Sequence, residues 1–255
     1  MAYDDVGTGP VLVFLHGFPH NRSLWAAQLS AFADRARCIA PDLRGFGDST
    51  GASAHSMAQY ADDVAALLDA LSIPDAVLVG LSMGGYVAFA FWRRHGARVR
   101  ALVLANTRAT ADSHEMRARR RRLLEVAQSE GSRAVADLQL TTMLGATTRS
   151  RNPALVTATH RMLALAPVSG IVGALEAMMS RPDSVDLLST IDVPTLIIAG
   201  EEDTIVPASE ARVMHEAIAG SRFEVLAGAG HLSNIERPAA FNHVTGEFLF
   251  QAVNA

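Results

Sequence analysis

The sequence predicts an α/β protein with a mostly parallel central sheet, helices on both faces, and an all-helical cap inserted between two strands. Short apolar runs rich in β-branched residues recur at residues 11–15, 37–40, 76–79, 99–105, 195–199 and 222–226. Helical patterns lie between most of them, the alternation expected of a parallel sheet covered on both sides. The exception is residues 107–189, where helical patterns follow one another without a convincing strand. A chain of 255 residues, 49% of them hydrophobic, can bury one large core. One compact domain is therefore expected, with a core of residues 1–106 and 190–255 and a cap of residues 107–189.

Taken in order, residues 11–15 read Val-Leu-Val-Phe-Leu, an uninterrupted apolar run suited to a strand buried on both faces. The run at 37–40 holds Cys38, the single cysteine, which has no internal disulfide partner and reads as an inert buried strand residue. Pro74 opens the next run. Residues 83–95 are apolar for about three turns, carry Arg93-Arg94-His95 where the helix dipole favours positive charge, and stop at Gly96. After the run at 99–105, helical patterns occupy residues 112–130, 132–144, 152–165 and 167–180. An insertion at that point would sit above the strand ends.

The net charge of −4 provides no field that would concentrate nucleic acid or an anionic membrane, so small neutral or weakly charged ligands fit better. The first residues show no basic region followed by a hydrophobic one, and no apolar stretch reaches membrane-spanning length. A cytoplasmic protein, monomeric or homodimeric, is the expectation, and the free cysteine is compatible with a reducing compartment.

Gly80-Leu81-Ser82-Met83-Gly84-Gly85 lies between an apolar strand and an apolar helix. G-x-S-x-G arises by accident in roughly one such sequence in ten, so its context must decide. Here a buried-strand pattern precedes it and a capped helix follows it, the setting of a nucleophile elbow. A serine hydroxyl is a poor nucleophile at neutral pH and needs a base within reach and donors for the oxyanion it creates. A strained strand-to-helix turn would present Ser82, and glycines two residues to either side remove side chains that would clash there.

Partners should lie at the carboxyl ends of other strands. After 195–199 comes Gly200-Glu201-Glu202-Asp203, whose three carboxylates are equally placed by spacing alone. After 222–226, His231 sits in the small-residue loop Ala227-Gly228-Ala229-Gly230, where an imidazole could take the proton of Ser82 and return it to the leaving group. The other histidines are placed differently: His95 ends a helix, His114, His160 and His215 fall in helical patterns, and His55 lies in a polar loop. His16 and His20 flank a turn made by Gly17 and Pro19, with no carboxylate nearby and unlike the helical spacing of zinc ligands, so no metal and no cofactor are expected. The oxyanion would be met by the N–H of Met83, at the amino end of its helix, and by that of Phe18, since Pro19 has none. Arg117, Arg119, Arg120, Arg121 and Arg122 lie on the first cap helix and read either as a solvated face or as an entrance attracting acidic substrates.

Together, His16-Gly17-Phe18-Pro19 with Trp25, the segment from Asp42 to Ser49 (DLRGFGDS), the elbow, Gly200 to Asp203, and Gly230-His231 resemble the α/β-hydrolase superfamily over nearly the whole chain. The resemblance implies Ser82 as nucleophile, Asp203 as the acid, His231 as base, and Phe18 with Met83 as oxyanion donors. Residues 106–112 and 230–238 are most similar to small bacterial esterases and 3-oxoadipate enol-lactonase-like proteins. Haloalkane dehalogenases and epoxide hydrolases share the flanking motifs but need a carboxylate at position 82, so serine there argues for attack on a carbonyl. Against the family pattern, the chain opens almost at residues 3–10, and its first strand is expected to be shortened or missing.

The function expected is hydrolysis of small, largely apolar carboxylic esters through an acyl-enzyme. The alternatives are enol-lactone or carbon–carbon bond hydrolysis or perhydrolysis with the same residues, and a hydrolase-fold small-molecule receptor. The expected ligand is a small ester or lactone, in a pocket lined by Trp25, Leu140, Met143, Leu144, Met178, Ile205 and Leu232. A lactone carrying carboxylates would require a cap arginine that points inward.

Overall fold

A computed structural model of the chain describes residues 1–49 and 56–252; His55 lies outside them. Seven strands form one sheet: β1 (Tyr3–Val6), β2 (Val11–Leu15), β3 (Arg37–Pro41), β4 (Ala76–Leu81), β5 (Val99–Ala105), β6 (Thr195–Gly200) and β7 (Arg222–Leu226), in the order β1-β3-β2-β4-β5-β6-β7. All neighbours are parallel except β1, which pairs antiparallel with β3 from Tyr3 opposite Pro41 to Val6 opposite Cys38. The first strand is thus present, four residues long and at the sheet edge. Its polar YDDV sequence hid it, because an edge strand with exposed side chains needs no apolar pattern.

The central strands bury both faces. In β2, Val13 and Leu15 join one apolar cluster and Leu12 and Phe14 the other. That two-residue alternation between two cores explains why the sequence reads as an unbroken apolar run. Helix α1 (Ala26–Phe32) packs Leu29 and Phe32 into the second cluster, whereas α2 (Met57–Ala70) and α3 (Met83–His95) fill the first.

Between β5 and β6 the described residues form six helices and no strand: α4 (His114–Glu130), α5 (Ser132–Met143), α6 (Ala146–Arg151), α7 (Pro153–Ala164), α8 (Val168–Ser180) and α9 (Val185–Leu188). The first begins two residues later than the pattern predicts. Ser113 caps it by accepting from Met116 N–H at 3.2 Å, and Asp112 is drawn into a buried ion pair instead. Helices α6 and α9 went unpredicted because six mostly polar and four mixed residues carry too little periodicity to read. The chain closes with α10 (Ala208–Ala217), α11 (Ser233–Glu236) and α12 (Pro238–Ala252); α10 packs on the first cluster, and Phe241, Phe248 and Leu249 of α12 on the second. No single helix among the described residues is long and apolar enough to cross a membrane.

Candidate active site

The turn from β4 into α3 puts Ser82 at φ +55°, a left-handed conformation that costs a non-glycine residue of order 1–3 kcal/mol. Its surroundings fix it there: Ser82 N–H donates to Ala105 O at 2.9 Å, and Ser82 O accepts from Gly85 N–H at 2.9 Å and the Thr107 hydroxyl at 2.8 Å. The flanking glycines are a matter of space. A Cβ on Gly84 would stand 2.0 Å from Leu15 O, and one on Gly80 2.5 Å from Gly84 O.

Loops following β6 and β7 bring the expected partners to this turn. His231 Nε2 lies 2.8 Å from Ser82 Oγ, and His231 Nδ1 lies 2.8 Å from Asp203 Oδ2. A carboxylate only accepts, so Nδ1 carries the proton and Nε2 is left to accept from the serine hydroxyl. Asp203 Oδ1 accepts from Ile205 N–H (2.8 Å) and Val206 N–H (2.9 Å), and Oδ2 also accepts from the Asn106 amide at 2.9 Å. Burial opposes ionisation of Asp203, but the imidazole of His231 and these donors outweigh it and hold the carboxyl below its ordinary value. Glu201 and Glu202, indistinguishable from Asp203 by spacing, turn elsewhere: Glu201 accepts from Gly228 N–H and Glu202 from Thr147 N–H, both at 2.8 Å.

Asn106 belongs to this cluster although the sequence did not single it out. It sits at φ +48° directly after β5 and spans Asp203, Gly230 O (3.1 Å) and the Ser233 hydroxyl (2.5 Å). The rule that groups gather at strand carboxyl ends would have found it. The amides of Phe18 and Met83 have no hydrogen-bond acceptor among the described residues, which leaves both free to receive an oxyanion. His16 serves the scaffold: its Nε2 accepts from Leu43 N–H at 3.0 Å and its Nδ1 donates to Gly17 O at 2.9 Å. Asp42 does lie close enough to raise its pKa, contrary to the expectation of no carboxylate nearby, but burial dominates and lowers it to about 4. The DLRGFGDS segment is likewise structural, since buried Asp42 accepts from the Arg22 guanidinium and the Asp48 N–H.

Ser82, His231 and Phe18 open onto a cavity of about 380 Å³. Of the expected lining residues, Met143, Met178 and Ile205 face it, together with Tyr86, Arg108, Met116, Arg119, Arg120, Leu123 and Glu210. Trp25, Leu140, Leu144 and Leu232 do not. Trp25 is fully buried 5.3 Å from the Phe14 ring and 6.0 Å from that of Phe241; Leu144 and Leu232 are buried in the same apolar cluster, and Leu140 packs against it. Apolarity alone could not separate these residues from true lining, because core and pocket walls use the same side chains. Tyr86 carried a readable signal: it lies four residues after Ser82 and so on the same face of α3.

The arginine cluster divides. Arg117, Arg121 and Arg122 are exposed and do not line the cavity, whereas Arg119 and Arg120 do. Arg120 Nε donates to Asp112 at 2.6 Å, as does Arg181 Nη1, whose guanidinium lies 4.0 Å from the centre of the Tyr86 ring. Arg108, buried, approaches Met116 and Glu210 and donates to Ile205 O, but its Nε has no partner among the described residues.

Fold and site together define a hydrolase of the α/β class. A family profile described as alpha/beta hydrolase fold matches residues 10–238, and the chain belongs to that family. It is 32% identical to 3-oxoadipate enol-lactonase 2 of Acinetobacter baylyi over 92% of this chain and 86% of that protein. It superposes on the malate-bound structure of a thermophilic esterase from Thermogutta terrifontis with a TM-score of 0.95, at 39% identity over 98% of this chain and 93% of the other. For the enol-lactonase of Burkholderia xenovorans LB400 the TM-score is 0.91 at 31% identity, covering 98% and 96%.

Proposed function

We propose that the protein is a serine carboxylic-ester hydrolase acting on small esters, with Ser82 as nucleophile, His231 as base and Asp203 as acid. One observation carries this reading: the unbroken hydrogen-bonded line from Asp203 through His231 to Ser82, 2.8 Å at each step, which opens onto the cavity at Ser82, the residue directly before the free Met83 amide. As Ser82 Oγ attacks the ester carbonyl, His231 Nε2 takes its proton and Asp203 stabilises the imidazolium. The oxyanion settles on the Phe18 and Met83 amides, and the imidazolium then protonates the departing alcohol. Water activated by the same imidazole releases the acid from Ser82.

Turnover of p-nitrophenyl acetate and butyrate tests the proposal. Ser82→Ala is expected to lower kcat on the order of a thousandfold or more, because nucleophile and base act as a unit. No turnover by the wild type, or equal turnover by the variant, would sink it.

A second reading, hydrolysis of an enol-lactone that bears a carboxylate, is favoured by the cavity arginines. Arg108 with its unpartnered Nε and Arg119 with no ion pair among the described residues are the cationic contacts that such a substrate requires.

A further inference from the structure

Two carboxylates accompany the proposed acid and base along the chain: Glu202 directly precedes Asp203, and Glu236 lies five residues after His231. Neither lines the cavity. Both hold the same junction of the helical insertion, where α5 gives way to α6: Glu236 at the link and Glu202 at the first turn of α6. Glu236, buried, accepts from Gly145 N–H at 2.8 Å through Oε2 and, through Oε1, from Gly230 N–H at 3.0 Å and Leu232 N–H at 3.1 Å, on either side of His231. Glu202 accepts from Thr147 N–H at 2.8 Å and from the Thr147 hydroxyl, and its own N–H donates to Ala229 O at 2.7 Å. Those Thr147 donors also hold the Glu202 carboxyl below its ordinary value.

The backbones at this junction touch. A Cβ on Gly230 would stand 2.1 Å from Gly145 N, and one on Gly145 would stand 2.5 Å from Glu202 Oε2 and 2.9 Å from Gly230 N. Leu144 roots the turn in the same apolar cluster that buries Leu232. The base-bearing loop is therefore braced on one side by its own Glu236 and pressed on the other by the insertion. Its sequence Ala-Gly-Ala-Gly offers little side-chain packing of its own.

We propose that Glu236 and Glu202 are positioning residues that latch the 144–147 turn onto the acid and base loops, so that His231 is held at Ser82 only while the insertion is seated. The inference rests on the serine-hydrolase reading for its kinetic readout, and a second readout keeps the two separable. Gly145→Ala is the wedge: at φ −61° alanine is not strained in itself, so only the contacts with Glu202 and Gly230 are disturbed. Glu236→Gln replaces one acceptor oxygen with an NH2 that must face a backbone N–H, so it keeps at most one side of the brace.

With p-nitrophenyl butyrate, each variant is expected to lose on the order of 10- to 100-fold in kcat, since small displacements of a reacting group are that costly. KM should move by less than about threefold, because substrate binding is not the interaction removed. The double variant should lose little more than the worse single one, as coupled neighbours do. In parallel, the downfield proton resonance of His231 Nδ1–H, identified by its disappearance in His231→Gln, should broaden in both variants. If both stay folded with kcat and resonance unchanged and only a lower Tm, or if their losses multiply, the latch is overturned. Should Gly145→Ala fail to fold, Glu202→Gln takes its place in the cycle with the same expectations. If the wild type cleaves no ester, the serine-esterase reading falls, and the resonance alone still decides the latch.

Discussion

Asp203, behind the cavity-lining His231, and Asp112, behind the arginine-bearing wall, have side chains fully buried from solvent. Both carboxyls are held below their ordinary value against the cost of burial. What separates them is the partner. Asp203 faces an imidazole, a ring that can take up a proton and hand it on, so stabilising its cation can move a proton in the transition state. Asp112 faces Arg120 and Arg181, whose guanidiniums never release theirs, so the same charge can only hold structure. Burial and a shifted pKa mark both residues alike; the chemistry of the partner assigns the role.

Asparagine substitutions at the two sites should have opposite signatures. Asp203→Asn should lower kcat by about 10³- to 10⁴-fold, because the amide favours the wrong imidazole tautomer, with a smaller change in Tm. Asp112→Asn should leave kcat within about tenfold of wild type but destabilise the fold by about 3–5 kcal/mol, since Arg181 loses its buried counter-charge. Steady-state kinetics with urea unfolding of both variants would break the comparison if the signatures coincided or were exchanged.

The wall's cations provide a finer division. Arg120 is already paired with Asp112, whereas Arg119 has no ion pair among the described residues. Arg119→Ala should raise KM by about 3- to 10-fold for an ester carrying a distal carboxylate and leave its neutral isostere unaffected, consistent with about a kcal/mol for a partly exposed charge pair. Equal effects on the two substrates would remove the support that Arg119 lends to the enol-lactone reading.

Acid stability rests on other groups. A depressed carboxylate stabilises the fold above its unfolded pKa and is lost only as pH falls through the folded one, so neither aspartate accounts for changes above about pH 4. Buried histidines do. Burial lowers His16 to about 4 and His20 to about 3, and the unfolded chain binds these protons from about pH 6.5 downward. Stability is therefore expected to fall as pH drops from about 6.5 towards 4, and His20→Leu should flatten part of that slope in thermal melts. An unchanged slope would remove His20 as a source.

Much of this site was legible before any coordinates. Strand runs, the elbow, the order of serine, acid and histidine, and the free amide next to Pro19 all follow from local rules: which residues suit a buried strand, which turn needs glycine, which residue lacks an N–H. The polar edge strand β1 escaped because it follows none of them. Spacing left three adjacent carboxylates open and the resemblance alone pointed to Asp203; the tertiary structure shows it facing His231, a choice spacing could not make because neighbours in one loop differ by direction and not by type. It likewise placed Trp25, Leu144 and Leu232 in the core, turned Arg119 and Arg120 toward the cavity, and set Glu202 and Glu236 on a turn far away in sequence. Such choices depend on what each side chain meets across the fold, and one-dimensional spacing carries no record of that.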